Sequence, residues 1–481
     1  MAAQKEEKKG ITVKKKDDIS EWYTEVITKG DLVDYSDVSG CMIFKPACYR
    51  VWEIIRGETD KRFKKAGIEN CYFPMFIPER HLYKEAEHVE GFAPEVAWVT
   101  EAGNSKLAER LAVRPTSETI MYATYAKWIR SWRDLPLRLN QWNNVVRWEF
   151  KHPTPLLRSR EFLWNEGHTV FATKEEAEAE RDEILGIYQD ILKNYMAIYG
   201  VSGYKSEKEK FAGAEYTCSI ESFLDSGKAI QGPDFHHDGQ NFAKAFGITF
   251  SNENEEVEYV WQNTFAMTTR MIGVMVMMHG DDKGLIIPPY VAPKQIVVVP
   301  IFKEENKNEV LQKAGEVAEK LNTYRVHLDI EDDRTPGWKF NQYEMEGVPL
   351  RLEIGPKDIE NKQVMLVRRD TNQKEAVKLN ELETKVKGVM KDIHENLYDR
   401  SKKNFTEKVV EVNDFEELKK VTSNKKMAYA PFCNNPECED EIKEAANGVK
   451  TLNSPFDATV KGKCIKCSKP ADRMFYFAKS Y

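Results

Sequence analysis

Along this chain, apolar residues spaced three and four apart alternate with runs of period two, and each switch between the two patterns marks a new element. Residues 20–30, SEWYTEVITKG, read as a short amphipathic helix ended by Gly30, and a longer helical pattern runs from Pro46 to Lys65 and stops at Gly67. The aromatic run CYFPMFIP reads as a strand, which Pro74 confines to an edge or an interface because proline brings no ladder N–H. Residues 116–132 read as a helix. The segment LRLNQWNNVVRWEF (137–150) and the run REFLWNEGHTVF read as two strands joined by a loop carrying Pro153 and Pro155, a long antiparallel hairpin. A charged helix is expected over 174–199, strands near 218–223, 239–250 and 256–265, and an apolar helix in TTRMIGVMVMMHGDDKG.

The texture changes at PPYVAPKQ. IVVVPIF, a helix at 305–322, RVHLDIED, a helix near Trp338 to Glu346, PLRLEIG, KQVMLVRR and a final helix alternate as in a separate α/β domain. Beyond Lys402 come one more helix and four clustered cysteines. The expected division is a charged tail over 1–18, a first domain over 19–290, a second over 291–400 and a third over 401–481. With 41% apolar and 31% charged residues the composition is that of a soluble globular protein, and the net charge of −7 requires any nucleic acid partner to be met by a local basic surface. The charged N-terminus lacks the apolar core of a secretory signal, and no run approaches the ~20 apolar residues of a membrane span. No membrane association is expected, and a cytoplasmic location is.

Candidate chemistry adds detail. Cys433-x4-Cys438 and Cys464-x2-Cys467 are two pairs at chelating spacing, and four thiolates suit a closed tetrahedral zinc site of structural rather than catalytic use. His236 and His237 adjoin on a strand, so they point to opposite faces and cannot ligate one metal together. On the hairpin, Arg147, Glu149, Arg158, Phe162 and Glu166 are either a solvated, charge-paired surface or a triphosphate site in which arginine forks grip phosphate and an aromatic face stacks on a base. The PTSE stretch reads as a helix N-cap with an acidic first turn.

Arg147-x-Glu149 with the loop and Arg158 to Glu166 resembles motif 2 of the class II aminoacyl-tRNA synthetases; NCYFPMFIP resembles motif 1 and TTRMIGVMVMMHGDDKGLIIPP motif 3. RPTSE, HPTPLLRSREFLWNEGH and the terminal Lys479-Ser480-Tyr481 are similar to the archaeal and eukaryotic-like prolyl-tRNA synthetases. The resemblance implies an α+β catalytic domain built on an antiparallel sheet flanked by helices, then an α/β anticodon-binding domain and a small α/β zinc-binding domain. It implies activation of proline with ATP and Mg2+ to a prolyl-adenylate, transfer of the prolyl group to the 3′ end of tRNA(Pro), and a homodimer formed through motif 1. Matched residue by residue, it makes Arg147 and Arg270 catalytic and places Thr116, Glu118, Arg147, Trp164, His168 and His236 around proline. Arg147, Glu149, Arg158, Ser159, Phe162, Gln231, Thr268 and Arg270 fall around ATP, and Glu344, Arg351, Lys357 and Asp358 at the anticodon. The C-terminal Tyr481 is implied to point toward the active site.

The chain departs from these relatives in two places. Pro233-Asp234-Phe235-His236 stands where the family shows Gly-Thr-Ser-His, and Thr264-Phe265-Ala266-Met267 where it tends to Ser-Trp-Gly-Leu. Phe235 and Ala266 are expected to fill space in the amino acid pocket, and Asp234 to add a carboxylate there. A reshaped proline pocket, an altered amino acid preference, and a synthetase-like RNA-binding or regulatory protein that does not charge tRNA all remain open on the sequence.

Overall fold

The computed structural model describes residues 10–82, 95–149, 151–460 and 462–481. Its centre is an antiparallel sheet of five long strands: β1 (Leu137–Val146), β2 (Glu161–Phe171), β3 (Tyr216–Phe223), β4 (Lys228–Gly239) and β5 (Trp261–Thr268). They lie side by side in the order β1-β2-β5-β4-β3, and the two-residue strand Glu69–Asn70 adds a parallel edge beside β1. Side chains alternate across such a sheet. On β4 and β5, Phe235, Phe265 and Met267 enter the main core with Phe63 and Tyr188 from the helices Pro46–Lys65 and Lys174–Asn194. The even-numbered Asp234, His236, Thr264, Ala266 and Thr268 face the opposite side and line a cleft.

Several predicted bounds shift. The first hairpin strand ends at Val146, so Arg147 and Glu149 begin the connecting loop, although the Arg147 amide still donates to the Arg160 carbonyl (2.8 Å). The helix expected over 116–132 is Glu118–Trp128, the one expected over 174–199 stops at Asn194, and the strand expected over 239–250 is broken by the short helix Asn241–Phe246. Burial of Phe242, Ala243 and Phe246 on one side of a single turn explains that break, because period-three burial outweighs local strand propensity. CYFPMFIP is not one strand either: residues 71–75 are irregular between two short ones. Part of the expected tail packs against the body of the protein. From residue 10 it is docked: Thr12 bonds to Glu25, and the largely buried Lys15 donates to the Gly280 carbonyl (3.0 Å). Residues 1–9 lie outside the described residues.

The second domain has a five-stranded sheet in which Ile296–Pro300 lies between and parallel to Val326–Leu328 and the central Leu350–Ile354, with two antiparallel strands beyond. The boundary expected at 400/401 falls inside the long helix Leu382–Thr406, which is bonded to the catalytic domain through His394 Nε2 to the Lys193 carbonyl (2.8 Å) and Asn404 Nδ2 to the Phe223 carbonyl (2.7 Å). The third domain is joined to the first by a shared sheet. Its last strand, Arg473–Ser480, pairs in parallel with the start of β4, Lys228 opposite Lys479 and Ala229 opposite Ser480.

Candidate active site

The cleft over the even-numbered face holds about 370 Å3. Thr116, Glu118, Arg147, Glu149, Arg158, Ser159, Phe162, Trp164, His168, Gln231, His236, Thr268 and Arg270, which lie far apart in sequence, all line it. Strands β2, β3, β4 and β5 set the floor; the loop between β1 and β2 and the N-terminus of the helix Glu118–Trp128 form the walls.

Three arginines give the cleft its positive end. Arg270 is half-buried, and desolvation lowers its pKa from the ordinary arginine value while nearby Asp234 opposes the shift. Its Nε donates to the Leu157 carbonyl (3.0 Å), which fixes the guanidinium plane. Arg147 is held by Nε to the Pro115 carbonyl (3.0 Å) and lies 5.6 Å from the Phe162 ring and 5.3 Å from the Trp164 ring. Trp164 is in turn oriented by its Nε1 donating to Asn143 Oδ1 (2.6 Å). Arg158 is exposed at the mouth. Preorganised planar cations of this kind suit a triphosphate, because their orientation is settled before the anion arrives.

The opposite end is acidic and tightly bonded. Glu118 is buried at the first turn of its helix, and Thr116 Oγ1 donates to its Oε2. Ser117 occupies the N-cap position without capping; its hydroxyl and amide go instead to the Glu166 carboxylate (2.5 and 3.1 Å). The capping expectation therefore holds for position and not for the side-chain bond. Gln141 and Asn143 also donate to Glu166 (2.8 and 2.6 Å), and His168 Nε2 lies 3.2 Å from its other oxygen. Burial would raise the Glu166 pKa and lower that of His168, but the bond between them reverses both: the carboxyl is held below its usual range and the imidazole above.

His236 and His237 turn to opposite faces as expected: His236 lines the cleft, and His237 stacks on Tyr216 and bonds to Asn263 Oδ1 (2.8 Å). Two partners of His236 carry no mark in the sequence. Thr217, its cross-strand neighbour on β3, lies 2.9 Å from Nδ1, and Phe211 stacks on the ring at 4.7 Å. The Phe211 amide donates to the Thr217 oxygen (2.9 Å), which leaves the hydroxyl hydrogen for Nδ1 and the Nε2–H for the cleft. Burial lowers the His236 pKa against the opposing pull of Asp234, so the ring is the neutral donor. No sequence spacing signals Phe211 or Thr217, since their place follows from the register of β3 on β4.

The departures sort by face. Phe235 is buried in the core away from the cleft, so it does not fill the amino acid pocket; period two decides against that expectation. Pro233 sits at a bulge, where Ser219 pairs with Asp234 and Glu221 with Gln231, so the missing N–H costs no ladder bond. Asp234 and Ala266 do face the cleft, opposite one another. Asp234 accepts from Gln231 Nε2 (2.9 Å) and lies 3.7 Å from His236 Nε2.

Residues 98–279 match the family model described as tRNA synthetase class II core domain (G, H, P, S and T), 295–388 that of an anticodon binding domain, and 415–481 that of the prolyl-tRNA synthetase C-terminal domain. The chain is 48% identical to the cytoplasmic proline–tRNA ligase of Arabidopsis thaliana over 98% of its own length and 91% of the relative's. The chain belongs to the prolyl-tRNA synthetase family. It is 50% identical to the proline–tRNA ligase of Alkaliphilus oremlandii, covering 96% of each chain, and 46% identical to the bifunctional glutamate/proline–tRNA ligase of Mus musculus over 99% of this chain and 33% of the mouse protein. The crystal structure of the Cryptosporidium parvum prolyl-tRNA synthetase complexed with halofuginone and AMPPNP superposes with a TM-score of 0.94 at 43% identity, over 98% of this chain and 100% of that one.

Two features outside the cleft complete the synthetase. In the anticodon-binding domain Arg351 is buried between Glu344 and Glu353 (3.1 Å to each) over the Phe340 ring, so the structure joins Glu344 to Arg351. Lys357 and Asp358 lie past the strand's end: Lys357 is exposed, and Asp358 caps the next turn by accepting from the Gly355 amide (3.0 Å). In the C-terminal domain the sulfurs of Cys433, Cys438, Cys464 and Cys467 all lie within 4.8 Å of one another, with Cys438 to Cys464 at 3.8 Å and Cys433 to Cys467 at 3.6 Å. A tetrahedron of ~2.3 Å metal–sulfur bonds spaces its sulfurs ~3.8 Å apart, so the cluster has the size of a thiolate metal site. Burial and the neighbouring sulfurs push the Cys433 thiol up to about 11 and raise Cys438 as well, while Cys467 is lowered by its hydrogen bonds; four thiolates this close would repel one another unless a cation lay between them.

Proposed function

We propose that this chain activates proline with ATP to a prolyl-adenylate and transfers the prolyl group to tRNA(Pro), as a cytoplasmic homodimer carrying one structural zinc per chain. The observation that carries the reading is the meeting, in one cleft, of three arginines with a buried carboxylate end framed by Glu118, Glu166 and His168. In this reading Glu118 and Thr116 take the cationic imino group, while Trp164, His168 and His236 frame the ring. Arg147 spans the proline carboxylate and the α-phosphate, where negative charge builds as the carboxylate attacks, and its fixed position lowers that barrier without reorganisation. Arg158 takes the distal phosphates. Phe162 and the locked plane of Arg270 receive adenine between them, and Gln231, Thr268, Ser159 and Glu149 offer oxygen and amide groups to ATP or its Mg2+.

Cys433, Cys438, Cys464 and Cys467 would hold the zinc, which supplies folding free energy to the C-terminal domain. Glu344, Arg351, Lys357 and Asp358 are proposed to read the anticodon. The exposed Tyr72 and Phe76 beside Pro74, with Tyr35, Val38 and Ile43, support the homodimer. Among the described residues no helix is long and apolar enough to cross a membrane, and one relative is named cytoplasmic. Pyrophosphate exchange into ATP, measured with each of the twenty amino acids, tests the proposal. Proline is expected to give the highest rate, with Arg147→Ala lowering it by about 10²-fold or more. Exchange no higher than background with every amino acid would overturn it.

A further inference from the structure

Behind the cleft floor Asp238 is fully buried, and the reaction proposed above gives it no task. It falls at a bulge of β4: His237 pairs with Asn263 and Gly239, in the left-handed region at φ +60°, pairs with Gln262, so Asp238 has no partner across the ladder. Its side chain instead meets the helix Glu118–Trp128, where Tyr122 Oη donates to Asp238 Oδ2 (3.4 Å). The same Oη lies 3.3 Å from His168 Nδ1, and His168 Nε2 lies 3.2 Å from Glu166 Oε2. Asp238, Tyr122, His168 and Glu166 are each at most 2% exposed. The far end is pinned by Ser117, Gln141 and Asn143, which all donate to Glu166 Oε1.

We propose that Asp238 is a positioning residue for the amino acid site, acting through the Tyr122 hydroxyl to hold His168 as a hydrogen donor at both ring nitrogens. A phenol has one hydrogen; given to Asp238, it leaves the oxygen only lone pairs, which must accept from Nδ1–H. Ionised Glu166 can only accept, so Nε2 carries a hydrogen too, and the ring is an imidazolium facing Glu166 and near Glu118. Burial raises the Asp238 pKa well above the ordinary carboxyl value, and Oδ1 is buried without a partner, so Oδ2 is the oxygen that accepts from Tyr122. Asparagine reproduces that arrangement; leucine fills the space without accepting.

The inference rests on the proposed role of His168 beside proline, and His168→Ala tests that role separately: an unchanged KM for proline would remove the role and the relay with it. With the role intact, Asp238→Leu and Tyr122→Phe are each expected to raise the KM for proline about tenfold and leave that for ATP unchanged. The double variant should be no worse than either single one, and Asp238→Asn should stay within about twofold of the parent. An unchanged proline KM in Asp238→Leu, a parallel rise of both KM values, or additive effects in the double variant would overturn the relay. Should Asp238→Leu fail to fold, 15N NMR of the histidines decides. His168 doubly protonated at neutral pH in the parent and not in Tyr122→Phe supports it, and the same protonation in both sinks it.

Discussion

His279 shows how strongly this interior acts on one side chain. It closes the helix Arg270–His279 inside the core and donates from Nε2 to the Met196 carbonyl (3.0 Å), while burial lowers its pKa to about 3. A histidine buried neutral contributes stability above its unfolded pKa of about 6.5, and that stability drains as pH falls toward the folded value, by about 1.4 kcal/mol for each pH unit crossed. The melting temperature is therefore expected to fall between about pH 6.5 and 3, and His279→Gln to flatten the fall; calorimetry across that range checks it. Asp238 has the opposite sign. Its raised pKa means that stability present below the unfolded carboxyl value is lost as pH rises, so Asp238→Asn is expected to melt higher than the parent at neutral pH and to match it near pH 4. Equal melting temperatures at both pH values would contradict the buried-acid assignment.

At the scale of elements, β4 is the most informative. Its pattern of alternating faces was legible in the sequence and correctly separated His236 from His237. The same rule places Phe235 in the core, because a strand's parity, not a residue's bulk, decides what fills a pocket. Pro233 and Asp238 needed the tertiary register, since bulges arise where neighbouring strands disagree in length. The cysteine cluster was legible in full, because chelating spacing at two turns already limits the geometry. Elemental analysis is expected to find one zinc per chain, and a strong chelator to lower the melting temperature of the C-terminal segment; retained stability with all metal removed would argue against a structural role.

Across the whole molecule, the three domains share bonds that no domain-by-domain reading anticipates. Arg369 of the anticodon-binding domain makes two bonds to Asp281 of the catalytic domain (2.8 and 2.6 Å). The C-terminal strand extends the catalytic sheet, and the Tyr481 amide donates to the Ala229 carbonyl (3.2 Å), two residues before Gln231 in the cleft. Deleting residues 478–481 is expected to slow pyrophosphate exchange on the order of tenfold or more while leaving far-ultraviolet circular dichroism unchanged, because a small displacement of β4 misplaces Gln231 and Asp234. Arg351→Ala should spare exchange and raise the KM for tRNA about ten- to a hundredfold, as the loss of a bidentate base contact would. A parallel loss of exchange would instead assign Arg351 a structural role.

The sequence by itself determined the family, the three-part organisation, the cleft-lining arginines and the four cysteines, because each is a matter of residue type at a short fixed spacing. Tertiary structure alone decided which departures face the substrate, what holds His168 and His236, and that the third domain completes the first one's sheet. Those depend on strand register and on contacts between segments as far apart as Ala229 and Ser480, which local patterning does not encode.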